Sequence, residues 1–322
     1  MLWKVGWSRL CAFASVVSLL IPSCAVDPLE EPGSYGVYTS DQIIIANPES
    51  PEEPIQARIT APSTDGGQSI CEGLFDLVIL MPGFGATYQL YDMYAKHLSS
   101  HGSIVVGMNF RLPAGVDGRH DYLARQTIYV VDYALGSGGP LEEHVDSSKI
   151  AAAGHSLGGK IAFYSAALDP RISVVMALDP SNSGGPPCFI SEEWCNAYPV
   201  APNIWTGEIG LLDEVNAASF IMRAAPDVFN PDPQSNAEYF FYGVDGQGTL
   251  AVSTPALYFD MGSAGHSSWL LPANLNVPRI TKRTMVAWLK THFYGESLEA
   301  YFTGEIAQND IDRGNIVAVG TR

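Results

Sequence analysis

The chain alternates short apolar segments with amphipathic segments, and this alternation limits the folds open to it. Runs such as FDLVILMPG, SIVVGMNF and KIAAAGHS are each followed by a stretch with helical spacing of apolar residues. Short runs rich in Val, Ile, Leu and Ala are typical of strands buried on both faces, with helices packed on either side. The sequence therefore predicts an α/β fold with a mainly parallel central sheet and helices on both faces.

The segments before this alternation differ from it. VYTSDQIIIAN and PIQARITAP read as two antiparallel edge strands joined by the turn-forming stretch PESPEEP. No internal repeat is visible, and the 47% hydrophobic content of the 322 residues suits one well-filled core. We predict a single domain over residues 35–322, with an irregular insert at 181–217 that is rich in Pro, Gly and Trp.

The first 25 residues have the chemistry of an export signal. Lys4 and Arg9 precede CAFASVVSLLI, an apolar run too short to cross a bilayer, and small residues follow it. Two kinds of processing stay open: signal-peptidase cleavage near Ala25, or lipid attachment at Cys24, since the preceding residues resemble a bacterial lipobox. Residues 26–34 then read as a polar tether. We expect an exported protein, either secreted or held at the cell envelope as a lipoprotein.

Composition excludes some partners. The net charge of −17 disfavours nucleic acid and anionic membrane surfaces. Cys188 and Cys195 lie seven positions apart in the insert and are predicted to form a local disulfide in an oxidising compartment. No metal-binding motif is present, and the seven histidines are scattered. We therefore expect no metal and no cofactor.

The segment GHSLGGK, residues 154–160, has two interpretations. Its glycines and lysine nearly spell a phosphate-binding loop, but such a loop needs Ser or Thr where this chain has Ile161. Gly154-His155-Ser156-Leu157-Gly158 instead matches the Gly-x-Ser-x-Gly turn between a strand and a helix. The glycines leave room for a strained turn that exposes Ser156 at the helix N-terminus. Ser156 is therefore the predicted nucleophile.

A serine nucleophile needs a base and an acid. His266 follows the predicted strand PALYFDMG in a loop of small residues, at the chain position expected for the base. Two carboxylates compete for the third position. Asp179 ends the strand ISVVMALD, and Asp227 follows the strand ASFIMRAA, so either reaches the same edge of the sheet.

Residues 75 to 295 resemble α/β-hydrolases of the cluster that contains chlorophyllases, dienelactone hydrolases and cutinase-like polyester hydrolases. The resemblance rests on VILMPGFGATYQLYDMYAKHLSSHG, on GHSLGGKIAFYSAAL with ALDPSN, and on AWLKTHFYGE. It implies an oxyanion hole made of the Phe84 and Leu157 backbone amides. Chlorophyllases have the acid at the position of Asp179 and polyester hydrolases at that of Asp227; we favour Asp179.

The resemblance also bears on the substrate. Phe84 matches one member of the aromatic pair that polyester hydrolases place beside the site, but Ser181 matches their tryptophan and Leu157 their methionine. We therefore predict a serine carboxylic-ester hydrolase acting on small-molecule or polymeric esters. A cutinase-like polyester hydrolase or lipase, and a non-catalytic binding protein on the same fold, are the alternatives.

Overall fold

The computed structural model describes residues 27–111, 120–181, 214–227, 237–242, 255–270 and 275–322. Within these ranges ten strands form one sheet, in the spatial order β1-β3-β5-β4-β6-β7-β8-β9-β10, with β2 also paired to β3. The strands are β1 (Gly36–Thr39), β2 (Ile43–Ile45), β3 (Ile55–Ser63), β4 (Phe75–Met81), β5 (Ser103–Met108), β6 (Val145–His155), β7 (Ile172–Leu178), β8 (Ala218–Arg223), β9 (Ala256–Asp260) and β10 (Ala318–Thr321).

The middle of the sheet is parallel, as predicted. Strands β5, β4, β6, β7, β8 and β9 pair in parallel, whereas β1, β2 and β3 are antiparallel to their neighbours. The prediction that both N-terminal segments are edge strands is wrong for the second. Strand β3 lies between β1 and β5, and most of its nine residues are buried. The far edge is β10, antiparallel to β9, which the sequence analysis missed.

Helices cover both faces of the sheet. They are α1 (Asp92–Ser100), α2 (His120–Leu135), α3 (Leu157–Leu168), α4 (Ala237–Tyr242), α5 (Asn276–Tyr294) and α6 (Glu305–Asp312). Alternate residues of β4 enter different cores: Leu77 and Ile79 pack with residues of α2, α3 and α4, and Val78 and Leu80 pack with residues of α1 and α5. Each such buried side chain stabilises the fold by about 1.5–3 kcal/mol. Complete burial of β4 explains why residues 77–81 are all apolar.

The described part of the predicted tether, residues 27–34, instead packs against the domain. The Tyr301 hydroxyl donates a hydrogen bond to Asp27 at 2.8 Å, and Arg283 pairs with Glu30 at 2.7 Å. A Cβ on Gly33 would lie 2.1 Å from the carbonyl oxygen of Ser100, so this part of the chain is pressed against the end of α1. Its polar residues are explained by ion pairs and hydrogen bonds with the C-terminal helices rather than by solvent.

Parallel pairing brings the carboxyl ends of β4, β6, β7, β8 and β9 to one edge of the sheet. Ligands of open α/β sheets bind at this edge. Across the described ranges, no helix has both the length and the apolar composition that a bilayer span requires. The predicted export signal lies outside the described residues, and so does most of the predicted insert.

Candidate active site

Ser156 sits in a strained turn between β6 and α3. Its backbone has φ 55° and ψ −119°, in a region that L-residues rarely adopt. The neighbouring glycines make this turn possible. A Cβ on Gly154 would lie 2.4 Å from the backbone of Gly158, and a Cβ on Gly158 would lie 2.5 Å from the carbonyl oxygen of Met81. Larger residues would force these strands and the helix apart.

The loop after β4 passes directly beside Ser156. A Cβ on Gly83 would lie 3.2 Å from the Cβ of Ser156, so a larger residue there would make a tight contact with the serine. Phe84, the next residue, is 46% exposed. Leu157 is the first residue of α3, where free helical amides favour negative charge. The two amides predicted to form an oxyanion hole therefore belong to segments that flank the serine.

His266 begins a short 3-10 helix just after β9 and reaches the serine across the sheet edge. Its Nε2 lies 2.8 Å from Ser156 Oγ, and its Nδ1 lies 2.5 Å from Asp179 Oδ2. If Nδ1 carries the proton, it donates to the carboxylate and Nε2 is free to accept the serine proton. All three side chains are buried, so water does not compete strongly for these contacts.

Asp179 is positioned by the ends of two strands. It follows β7, has φ 45° and is fully buried. Its backbone N–H donates to the carbonyl oxygen of Met222 at 2.7 Å, and its Oδ1 accepts the N–H of Ala224 at 2.9 Å. Both partners lie at the end of β8, which holds the carboxylate in line with the imidazole of His266.

Asp227 contacts the same histidine at a different atom. Its Oδ2 accepts the backbone N–H of His266 at 2.7 Å, whereas the imidazole Nδ1 faces Asp179. The two carboxylates that the sequence left open both lie at this edge, and they contact different atoms of His266. Asp179 faces the imidazole, whereas Asp227 holds the backbone of the loop that carries His266.

Two buried residues of this site were missed by the sequence analysis. Tyr91 Oη lies 2.9 Å from His155 Nδ1, and His155 Nε2 lies 2.8 Å from the carbonyl oxygen of His266. His155 is part of the predicted turn, and its ring faces the loop that carries His266. No sequence signal distinguishes Tyr91 from the other tyrosines, because its role depends on a contact between residues 64 positions apart.

The other predicted site residues have mixed outcomes. Ser181 is buried, and its backbone N–H donates to the carbonyl oxygen of Ser156 at 3.1 Å, so it lies at the site. Cys188 and Cys195 lie outside the described residues, and their disulfide stays a prediction. Within the described residues, no group of three or more His, Cys, Asp or Glu is arranged to hold a metal ion.

Comparison with known proteins gives a consistent picture. The chlorophyllase family model matches residues 31–185. A bis(hydroxyethyl) terephthalate hydrolase of Streptomyces coelicolor is 24% identical over 69% of this chain and 58% of its own length. A cutinase of Thermobifida fusca is 26% identical over 87% of this chain and 76% of its own. Chlorophyllase-2 of Arabidopsis thaliana is 29% identical over 42% of this chain and 43% of its own.

The sheet order, the strained serine turn and these relatives define the class: the protein has the α/β-hydrolase fold. Within that class it is similar to proteins named as a bis(hydroxyethyl) terephthalate hydrolase, a cutinase and a chlorophyllase. The chain spans less than two thirds of the Streptomyces enzyme.

Proposed function

We propose that the protein is an exported serine carboxylic-ester hydrolase that acts through an acyl-enzyme intermediate. The observation that carries the proposal is the continuous contact from Ser156 Oγ to His266 Nε2, at 2.8 Å, and from His266 Nδ1 to Asp179, at 2.5 Å. This is the arrangement that activates a serine hydroxyl for acyl transfer. A binding protein on the same fold would not need a strained, imidazole-paired serine.

In the first half of the reaction, Ser156 Oγ attacks the carbonyl carbon of the ester. His266 Nε2 takes the hydroxyl proton as the new C–O bond forms, and Asp179 stabilises the resulting imidazolium. The tetrahedral intermediate then collapses, the bond to the leaving alcohol breaks, and His266 donates its proton to that alcohol. The acyl group stays on Ser156 as an ester.

In the second half, a water molecule attacks the acyl carbon. His266 accepts a proton from this water and returns it to Ser156 Oγ as the acyl bond breaks, which releases the carboxylic acid. In both halves the Phe84 and Leu157 amides bind the negative oxygen. Each such donor is typically worth about 3 kcal/mol of barrier.

The site residues suggest two substrate classes, of which small soluble esters are the main one. The second class is polyesters, and it is favoured by Phe84, which is 46% exposed beside the nucleophile. The Streptomyces relative is named for bis(hydroxyethyl) terephthalate, an aromatic ester, and the Thermobifida relative for cutin, a polyester. Ser181, a small side chain where polyester hydrolases have tryptophan, argues for the first. Release of soluble acids from a polyester film distinguishes them: a small-ester hydrolase releases none.

The location of the enzyme is also part of the proposal. The apolar, positively charged start of the sequence supports export, either as a free protein or with a lipid on Cys24. The mass of the mature protein, purified from a host that processes both kinds of signal, distinguishes these outcomes. A diacylglycerol-modified Cys24 at the N-terminus indicates the anchored form.

The central test is a chain-length series of p-nitrophenyl esters on the native enzyme and on Ser156→Ala. We expect turnover by the native enzyme and a loss of at least about 10⁴ in kcat for Ser156→Ala, since removal of the nucleophile leaves only binding and the oxyanion donors. The acyl chain that gives the highest kcat/KM indicates the acyl length that the pocket accommodates best. Full activity of Ser156→Ala, or no turnover of any ester by a folded native protein, would contradict the proposal.

A further inference from the structure

A chain of hydrogen bonds runs behind the candidate site and joins three separate segments. The Gly83 N–H donates to Tyr91 Oη at 3.0 Å, Tyr91 Oη lies 2.9 Å from His155 Nδ1, and His155 Nε2 lies 2.8 Å from the carbonyl oxygen of His266. All of these contacts are buried, so the groups depend on one another rather than on water.

The chemistry of the end groups fixes the direction of every bond. A carbonyl oxygen only accepts, so His155 Nε2 must carry a proton and donate to His266. Burial, together with the nearby His266, lowers the pKa of His155 well below its ordinary value, so the ring is neutral and Nδ1 is an acceptor. Tyr91 must therefore donate its hydroxyl proton to His155 while accepting the Gly83 N–H. Burial also raises the pKa of Tyr91, which keeps that proton in place.

Each segment in this chain carries a neighbour with a part in the proposed reaction. Gly83 directly precedes Phe84, whose amide is a predicted oxyanion donor, and His155 directly precedes Ser156. His266 is the proposed base. The loop of Gly83 lies close to both His155 and Ser156, because a Cβ on Gly83 would lie 3.2 Å from both His155 Nδ1 and Ser156 Cβ.

The neutral state of His155 matters for a second reason. Its ring centroid lies 4.6 Å from that of His266, which becomes positively charged in the proposed transition state. A second charge at this distance would oppose that imidazolium. A neutral ring instead packs against His266 and fixes its backbone without electrostatic cost.

We propose that Tyr91 and His155 are positioning residues. They hold the loop of Gly83 and Phe84, the nucleophile and the base in the relative positions that the reaction needs. This inference rests on the proposed function, because it assigns to both residues a role in the same ester hydrolysis. Neither residue is expected to touch the substrate. Their loss should therefore lower kcat, since small displacements of catalytic groups are costly, and should leave KM nearly unchanged.

The first experiment is Tyr91→Phe, which keeps the ring and removes the hydroxyl that links Gly83 to His155. We expect kcat for a p-nitrophenyl ester to fall about tenfold or more, with KM within about twofold of the native value. The matched control is Tyr122→Phe. Tyr122 is also buried, and its hydroxyl accepts a hydrogen bond from Asn47 at 2.8 Å, but it lies on α2, away from this chain of bonds. Tyr122→Phe should keep the native kcat even if its free energy of unfolding falls by as much as that of Tyr91→Phe.

The second experiment separates the two bonds of His155. His155→Gln carries an N–H₂ where Nε2 lies and retains a donor for His266, whereas His155→Leu removes both bonds. We expect Gln to keep several-fold more kcat than Leu at similar KM. The double variant Tyr91→Phe with His155→Leu should be no slower than the worse single variant, because both break the same chain.

The outcomes also separate this inference from the proposed function. No turnover and no fluorophosphonate labelling by the native protein would refute the proposed function, and the inference with it. Native turnover with an unchanged kcat in Tyr91→Phe would overturn the inference alone, and so would a kcat loss matched by Tyr122→Phe. If Tyr91→Phe does not fold, as judged by circular dichroism, the decision falls to the comparison of His155→Gln with His155→Leu. Equal kcat in those two variants would overturn the inference.

Discussion

Two buried aspartates at opposite ends of the sheet show how the same residue is used in two ways. Asp179 follows the carboxyl end of β7, and Asp76 lies at the amino end of β4. Asp179 faces two N–H donors, from Ala224 and from the His266 ring. Asp76 accepts a hydrogen bond from the Tyr294 hydroxyl at 2.9 Å, and burial raises the pKa of Asp76 to about 6.

Backbone strain also differs between the carboxyl and amino ends of the sheet. In the part of the chain that the structure describes, Ser156 and Asp179 are the non-glycine residues with positive φ, and both lie at the carboxyl edge. Such conformations cost about 1–3 kcal/mol each and persist where the surrounding structure enforces them. In the described residues, the backbone strain of non-glycine residues therefore lies at the carboxyl edge of the sheet. Asp76 tests what burial does to a carboxyl group that accepts a hydrogen bond from a hydroxyl.

The largest expected effect comes from Asp179→Asn. The amide oxygen can still accept the Ala224 N–H, so we expect the protein to fold. The amide nitrogen, however, would face Nδ1 of His266 and favour the wrong tautomer, so kcat should fall by about 10⁴. Steady-state kinetics with a p-nitrophenyl ester measure this loss. Activity near that of the native enzyme would show that Asp179 is as dispensable to the reaction as Asp76.

The next effect is on stability and concerns Asp76→Asn. Folding raises the pKa of Asp76 from 3.8 to about 6, so the folded state favours the protonated carboxyl. The stability that this group contributes is complete below about pH 4 and is lost as the pH rises through about 6. The shift corresponds to about 3 kcal/mol, which is an upper bound for the loss.

Urea unfolding of both proteins between pH 4 and pH 7 measures this contribution. Because other ionisable groups cancel in the difference, the free energy of unfolding of Asp76→Asn relative to native should rise with pH across this window. The kcat of the variant should stay near the native value. A stability difference that does not change with pH would mean that the folded state does not favour the protonated form of Asp76.

The smallest effect is expected for Asp227→Asn. Asp227 Oδ2 accepts a hydrogen bond from the backbone N–H of His266, the proposed base. The side-chain oxygen of an asparagine can accept the same hydrogen bond. We expect kcat within about threefold of native for Asp227→Asn, and a loss of about fivefold for Asp227→Ala, which removes the acceptor. A loss in Asp227→Asn as large as that in Asp179→Asn would reverse the roles assigned to the two carboxylates.

The sequence predicts the central architecture well because the relevant signals are local. Continuous apolar runs identify β4 to β9, and the glycines around Ser156 identify the turn that carries it. The order of strands along the chain brings His266 to the same edge. The fold class and the neighbourhood of Ser156 and His266 therefore follow from patterns that single segments contain.

Other features depend on contacts that no single segment contains. Asp179 and Asp227 follow strands that end beside each other. Only the three-dimensional structure shows that Asp179 contacts the imidazole of His266 and that Asp227 contacts its backbone N–H. Tyr91 and His155 were missed for the same reason. Polar residues 27–34 resembled a tether, since their ion-pair partners on α5 lie about 250 positions away in sequence.

The most direct test of the central claim is labelling with a fluorophosphonate, followed by intact-mass measurement and peptide mapping. We predict one label per folded chain, attached to Ser156, and none on Ser156→Ala or on the urea-unfolded native protein, because only the folded site activates this hydroxyl. A folded native protein that hydrolyses esters without acquiring a label, or that acquires it on another residue, would contradict the account.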